Sequence, residues 1–157
     1  MRLFLDTSVI SAYCDDRKPW RRDVTRRWFL DDSSKYELFI SGLVLDEIRR
    51  TPDTPKMESM LSLIDKCKIQ ELAITEEIKK LAALYRETLL FKELNDTIHL
   101  ATVSCYGLDA LVSWNFRHLV NLETIAKIHE LNVANRYRII EIVTVEQLGG
   151  GAEYGRI

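Results

Sequence analysis

The chain begins with the stretch that decides its fold, MRLFLDTS (residues 1–8). The apolar run at residues 3–5 predicts a short buried strand, and the hydroxyl residues Thr7 and Ser8 suit the start of a helix. Asp6 therefore falls at the carboxyl end of a strand, where open α/β sheets bind their ligands. Two interpretations remain open at this point. Either Asp6 lines a functional site, or one of Asp6, Thr7 and Ser8 caps the helix.

The charge balance excludes a protein that coats nucleic acid through bulk positive charge. The 157 residues include 24 acidic and 22 basic side chains, which gives a net charge of −2, whereas non-specific nucleic-acid binding depends on many cations. A local basic cluster nevertheless occurs, with two further arginines downstream. It is either a nucleic-acid patch or a solvated helix face. Its members are Arg17, Lys18, Arg21, Arg22, Arg26 and Arg27, followed by Arg49 and Arg50.

Cysteine usage and hydropathy predict an intracellular environment. Cys14, Cys67 and Cys105 are odd in number and lack CxxC spacing, so we expect reduced thiols and no zinc site. The first residues do not resemble a signal peptide, and no apolar run approaches the length of a membrane span. We therefore expect a cytoplasmic protein without a membrane segment.

Strand and helix patterns alternate along the chain. Such alternation predicts an α/β fold with a central, mainly parallel sheet and helices on both faces. Residues 1–148 are expected to form one domain, and the Gly-rich residues 149–157 a flexible tail. Pro19, Thr75 and Asn121 suit helix starts, and Gly107 suits a helix end. Strands are predicted at residues 3–5, 38–40, 110–113 and 139–142.

A second acidic group follows another predicted strand, in ISGLVLDEI (residues 40–48). Glu47 would lie in the second turn of the next helix, between the apolar positions Val44 and Ile48. We therefore expect Glu47 to face inward, whereas Asp46 is about 100° away around the helix and should face solvent.

Two more segments place polar groups near a strand end or on an inner helix face. In LNDTIHLA (residues 94–101), Asp96 shares a helix face with Leu100 and Val103. An acid there is costly unless it is paired or binds a metal, and the alternative is that Asp96 caps the helix. In ALVSWNFRHL (residues 110–119), a buried strand delivers Ser113 and Asn115 to its carboxyl end, although Asn115 also suits a turn.

The histidines and tryptophans allow less definite interpretations. His99, His118 and His129 are far apart in sequence and are expected to be structural. Trp20 and Trp28 recur at helical spacing among arginines. That helix either binds RNA by stacking and charge, forms a groove for a partner, or packs its stripe into the core.

Four motifs together resemble the PIN domain, and among PIN domains the VapC-type toxin ribonucleases. LDTS (residues 5–8) is similar to the first-strand aspartate motif, and SGLVLDEI (residues 41–48) to the helix that carries a glutamate. DTIHLA (residues 96–101) and LVSWNFRHL (residues 111–119) are similar to the later aspartate helix and final strand motif. Each motif is weak alone, but their order and spacing cover nearly the whole chain.

The resemblance implies a three-layer α/β/α sandwich and hydrolysis of RNA phosphodiester bonds with Mg²⁺ or Mn²⁺. It implies Asp6 and Asp96 as the main metal ligands, with Glu47 as a ligand or a water-orienting group. The hydroxyl groups of Thr7, Ser8 and Ser113 would contact the substrate phosphate or outer-sphere waters. A cognate antitoxin and homodimer formation are also typical of such toxins.

The chain departs from this family at Asn115, where many members carry a fourth acid. An asparagine can orient water or offer a carbonyl oxygen, but it supplies no negative charge. Asp109 is a possible compensating acid, although a turn role is favoured. A catalytically weak PIN-like domain that binds RNA or protein is therefore the main alternative. A third alternative is a phosphatase in the haloacid-dehalogenase style with Asp6 as nucleophile, although Ser8 stands where that family has a second acid.

Overall fold

The computed structural model describes residues 1–89 and 93–148. Five strands form one sheet, and seven α-helices are present in the described part of the chain. The strands are β1 (Arg2–Leu5), β2 (Glu37–Ser41), β3 (Gln70–Leu72), β4 (Ala110–Val112) and β5 (Glu141–Val143). The helices are α1 (Thr7–Ala12), α2 (Pro19–Asp31), α3 (Gly42–Arg49), α4 (Thr54–Lys66), α5 (Glu76–Thr88), α6 (Leu94–Tyr106) and α7 (Leu122–Ala134), with 3-10 turns at Ser33–Lys35 and Val145–Leu148.

All four strand pairings are parallel, in the order β3-β2-β1-β4-β5. The predicted α/β/α architecture is therefore confirmed. Strand β1 occupies the centre, and the apolar side chains of residues 3–5 have no solvent exposure. Strands buried on both faces read as continuous apolar runs, which is why three residues sufficed to identify this strand.

The direction in which successive strands are added to the sheet reverses at its centre, and this reversal determines where a site can form. From β1 the chain moves to one side through β2 and β3, and β4 and β5 then add on the other side. Ligands of open α/β sheets bind outside the carboxyl ends of the strands at such a switch point. Here the switch point lies between β1 and β4, and Asp6 and Ser113 follow those two strands directly.

The four helix boundaries predicted from single residues are confirmed. Pro19 is the first residue of α2, and the side chains of Thr75 and Asn121 cap α5 and α7. Gly107 ends α6 in the left-handed region with φ of 63°, which glycine adopts without steric penalty. The cap before α4 is Asp53, whose side chain accepts from the backbone N–H of Lys56.

The sheet also contains one strand that the sequence pattern did not predict. Strand β3 is three residues long and lies at the sheet edge, and Gln70 and Glu71 are exposed. Such a segment lacks the apolar run or alternation that identifies a strand. Strand β5 lies at Glu141–Val143 rather than residues 139–142, and Ile139 is exposed. The predicted tail at residues 149–157 lies outside the described residues.

Among the helices that the structure describes, none is both long and apolar enough to cross a membrane.

Candidate active site

An open cleft of about 610 Å³ lies at the carboxyl ends of β1 and β4. Three carboxylates from separate elements line it. Asp6 follows β1, Glu47 projects from the second turn of α3, and Asp96 lies in the first turn of α6. Asp46 is exposed and near Arg49, as the helical spacing predicted. The fold thus brings together three acids that are separated by 41 and 49 residues in sequence.

Asp6 is held in place by two serine hydroxyls. Ser8 and Ser113 donate to its Oδ2 atom at 2.6 and 2.7 Å. The backbone N–H groups of Trp114 and Asn115 in turn donate to those hydroxyls, each at 2.9 Å. Because each hydroxyl accepts a backbone hydrogen, its own proton is directed to Asp6. Ser8 and Ser113 therefore hold the carboxylate rather than directing their protons into the cleft.

The helix-capping interpretation of the two aspartates is wrong. Asp6 occupies the position before α1, but its side chain makes no capping hydrogen bond. Helix α6 begins at Leu94 after Glu93, earlier than predicted, so Asp96 is its third residue and not its cap. Both carboxylates are thus available to interact within the cleft.

His99 connects two of the acids, although the sequence suggested a purely structural role. This side chain is 1% exposed, and its Nε2 atom donates to Glu47 Oε1 at 3.0 Å and lies 3.6 Å from Asp6 Oδ1. The ring packs against Phe4, with centroids 5.4 Å apart. Burial lowers the pKa of His99, but the hydrogen bond to Glu47 and the charges of Asp6, Glu47 and Asp96 outweigh it, and the net pKa is raised.

We expect His99→Leu to lower the free energy of unfolding, in EDTA, by about 1–2 kcal/mol at mildly acidic pH. A raised histidine pKa stabilises the fold fully below the unfolded pKa of about 6.5, and this stabilisation is lost as pH rises through the folded pKa. The deficit should therefore shrink at alkaline pH. Urea unfolding at several pH values measures it. His99→Gln keeps a donor for Glu47 but does not titrate, so a pH-dependent deficit that His99→Gln also shows would implicate the charge rather than the hydrogen bond. Equal deficits for His99→Leu at all pH values would contradict the prediction.

Asp96 lies in an unfavourable electrostatic environment. Its Oδ2 atom accepts from His118 Nδ1 at 3.1 Å and lies 3.5 Å from Asn115 Nδ2. Burial and the negative charge of Asp6 nevertheless raise the pKa of Asp96 to about 6, against the opposing effects of His99 and His118. A carboxyl group with a pKa raised by burial and a like charge favours either a proton or a nearby cation.

Asn115 combines the two roles considered for it. Its Oδ1 atom accepts the backbone N–H of His118 at 3.0 Å, which is a turn contact, while its amide faces Asp96. Asp109 does not compensate for the missing fourth acid. It precedes β4, where it accepts from the backbone N–H of Arg2 and from Arg138, so it lies at the amino-terminal ends of the strands, opposite the cleft.

The oxygen donors that line the cleft suit a hard cation. Among residues 1–89 and 93–148, no group of three or more His, Cys, Asp or Glu side chains is arranged to hold a metal. Mg²⁺, however, often uses one or two carboxylates and keeps several waters. Asp6 and Asp96 supply such a pair, and their mutual repulsion is what a cation would relieve. Thr7 Oγ1 is buried and lacks a hydrogen-bond partner in the described part of the chain.

The structure places members of the predicted aromatic stripe in different environments, and the same is true of the basic cluster. Trp28 is 1% exposed and belongs to the core, whereas Trp20 is 60% exposed. Arg17 and Arg22 pair with nearby aspartates, whereas Lys18 and Arg21 line the cleft. The helix therefore contributes both to the core and to the wall of the candidate site.

The chain belongs to the PIN domain family, since the PIN domain model matches residues 3–119. This match contains all three acids of the cleft. Members of this family are generally nucleases. A comparison with curated proteins gives no significant match.

The fold is similar to that of a solved complex, described as VapBC2 from Rickettsia felis bound to a DNA fragment from their promoter. The TM-score is 0.58 at 15% sequence identity, and the alignment covers 92% of this chain and 98% of the other. At this identity the likeness concerns the fold, and it extends over nearly the full length of both chains.

Sequence reasoning missed two side chains that contact the acids. His99 lies three residues after Asp96 and His118 three after Asn115, spacings that bring side chains together on a helix or turn. This three-residue spacing was the feature of the sequence from which the contacts of His99 and His118 with the site could have been predicted. His129 is structural, as predicted, because its Nε2 bonds to the carbonyl oxygen of Ile140. Cys14, Cys67 and Cys105 form no disulfide among the described residues.

Proposed function

We propose that this PIN domain is a metal-dependent endoribonuclease and the toxin of a type II toxin–antitoxin pair. The observation that supports it is the convergence of Asp6, Glu47 and Asp96 on one cleft at the switch point of the sheet. A cluster of acids at such a position has few uses other than to bind a cation or a proton donor.

Asp6 and Asp96 would hold Mg²⁺ or Mn²⁺, with Glu47 as a further ligand or as the group that orients the attacking water. When bound, such an ion activates water and stabilises the negative charge that develops on the phosphate. The Ser8 and Ser113 hydroxyls fix the orientation of Asp6, and His99 fixes Glu47 relative to Asp6. Thr7 lines the cleft, its hydroxyl has no hydrogen-bond partner among the described residues, and we assign it to a substrate phosphate oxygen.

The substrate class is tested by incubating the purified protein with single-stranded RNA and, separately, with a phosphate monoester. We expect RNA cleavage with Mg²⁺ or Mn²⁺ and no cleavage in EDTA. Turnover of the monoester would instead revive the phosphatase alternative, in which Asp6 is a nucleophile. RNA that stays intact with both metals would contradict the proposed activity.

The second candidate function is a catalytically weak domain that binds RNA or protein. The amide of Asn115 favours this weaker domain, because the position where many PIN domains carry a fourth acid supplies no charge here. In addition, Asp96 is bound to a histidine side chain and Asp6 to a serine side chain. RNA that binds tightly but stays intact, together with an Asp6→Asn variant that behaves like the wild type, would favour this candidate.

We expect Asn115→Asp to tighten Mg²⁺ binding by about tenfold, because a second carboxylate would then face Asp96. The same change should lower the free energy of unfolding in EDTA, because the new charge repels Asp96. Calorimetric titration with Mg²⁺ measures the affinity. Asn115→Ser, which adds no charge, is the control. An unchanged affinity in the aspartate variant would remove Asn115 from the metal site.

The biological setting is proposed from the family and its fold. A cognate antitoxin would bind beside the cleft and oppose its negative charge with a basic side chain, and the toxin would form a homodimer. We place the activity in the cytoplasm, which is consistent with three free cysteines. Size-exclusion chromatography with light scattering tests the homodimer directly.

A further inference from the structure

An aromatic cluster borders the acidic cleft at the end of β4. Trp114 and Phe116 line the cleft with ring centroids 6.2 Å apart. Trp20 packs edge-to-face against Trp114 at 6.0 Å. The guanidinium group of Arg21 stacks on both cleft rings, 5.1 Å from the centroid of Trp114 and 5.7 Å from that of Phe116. Three aromatic rings and one cation thus form a continuous layer beside the acids.

The layer is anchored on one side and open on the other. Trp114 is 3% exposed, and its Nε1 atom donates to the buried Thr25 hydroxyl at 3.0 Å. By contrast, Phe116 is 49% exposed and Trp20 is 60% exposed. We call Trp20 and Phe116 the aromatic rim. An exposed ring on a fixed base can bind a flat ligand with little loss of side-chain freedom.

The wall beside the aromatic rim carries three cationic side chains. In the part of the chain that the structure describes, Lys18, Arg21 and Arg117 line the cleft and form no salt bridge. Arg17 and Arg22, from the same basic cluster, are paired with Asp15, Asp16 and Asp23. Lys18, Arg21 and Arg117 therefore face the cleft without a salt bridge to an acid, and there they can contact an anionic backbone.

We propose that the aromatic rim is a base-stacking subsite for single-stranded RNA, next to the phosphate that the acidic cleft would hydrolyse. This inference rests on the proposed ribonuclease function. Exposed rings beside unpaired cations match a ligand that has flat bases and an anionic backbone. The base must be unstacked to offer its face, so the subsite selects single strands over duplexes.

The test measures binding and cleavage of a labelled single-stranded oligoribonucleotide by the full chain. We expect Trp20→Ala and Phe116→Ala each to weaken binding in EDTA by roughly tenfold, as expected for loss of one stacked base. Phe116→Trp should retain wild-type affinity because the ring is preserved. Leu30→Ala is the matched control, since Leu30 lies on the same helix as Trp20, is 84% exposed and does not line the cleft.

Three results would overturn the subsite. In the first, the rim variants bind single-stranded RNA as tightly as Leu30→Ala does. In the second, the rim variants lose as much affinity for duplex RNA as for single-stranded RNA. In the third, they lose affinity for a protein partner while their affinity for RNA is unchanged. The last result would assign the rim to a protein interface. Failure of the ribonuclease proposal is distinguishable, because binding in EDTA does not require catalysis. Wild-type protein that binds RNA through the rim but never cleaves it would retain the subsite and contradict only the nuclease.

Discussion

Replacing Asp96 with asparagine is expected to abolish RNA cleavage and to stabilise the protein in EDTA. Cleavage should fall by at least about 100-fold, because one of the two main metal ligands loses its charge. The folded protein should gain about 1–3 kcal/mol at neutral pH, because burial and the charge of Asp6 raise the pKa of Asp96 to about 6. Activity and stability are therefore expected to change in opposite directions.

The pH dependence of this gain follows from the direction of the pKa shift. With its pKa raised on folding, Asp96 holds more proton in the folded state than in the unfolded state, so its contribution to stability falls as pH rises from about 4 to about 6. The asparagine of the Asp96→Asn variant does not titrate. The difference in free energy of unfolding between this variant and the wild type should therefore grow between about pH 4 and pH 6 and then level off. Urea unfolding in EDTA measures the difference, and a variant less stable than the wild type at neutral pH would contradict the prediction.

Replacing Asp6 with alanine is expected to abolish cleavage to a similar extent but to destabilise the fold. The Ser8 and Ser113 hydroxyls both donate to Asp6 Oδ2. The alanine variant leaves two buried donors without their acceptor, which costs about 1–3 kcal/mol. Thermal unfolding in EDTA and RNA cleavage in Mg²⁺ measure the two effects.

Asp6→Asn separates the two roles of this side chain. An asparagine keeps an acceptor oxygen for the two serines but has no charge for a metal. The asparagine variant should therefore unfold close to the wild type while it remains inactive. An alanine variant as stable as the asparagine variant would show that the serine hydrogen bonds do not hold the site.

The parts of the site at strand ends could be predicted from the sequence. The run at residues 3–5 identifies a buried strand, and Asp6 and Ser113 were each predicted at the carboxyl end of a strand. The structure pairs these two strands, which brings the two residues together. Glu47 was predicted to face inward because Val44 and Ile48 flank it on the helix. The edge strand β3 was missed because its exposed residues carry no apolar pattern.

The connections between the acids could not be predicted in the same way. His99 joins Glu47 to Asp6 across three elements of the fold, and such a contact depends on how α6 packs on the sheet. The use of Ser8 and Ser113 as donors to Asp6 depends on the loop after β4, whose backbone N–H groups orient the hydroxyls. Pattern and spacing specify which face a residue occupies, but not its partner on another element.

The most direct test is the rate of single-stranded RNA cleavage as a function of Mn²⁺ concentration, for wild type and Asp6→Asn. If Asp6 and Asp96 hold the metal that activates water, the wild-type rate rises from zero and saturates, and the variant stays at the background rate. Cleavage that persists in EDTA, or an Asp6→Asn variant that cleaves at the wild-type rate, would contradict a metal-dependent ribonuclease site in this cleft.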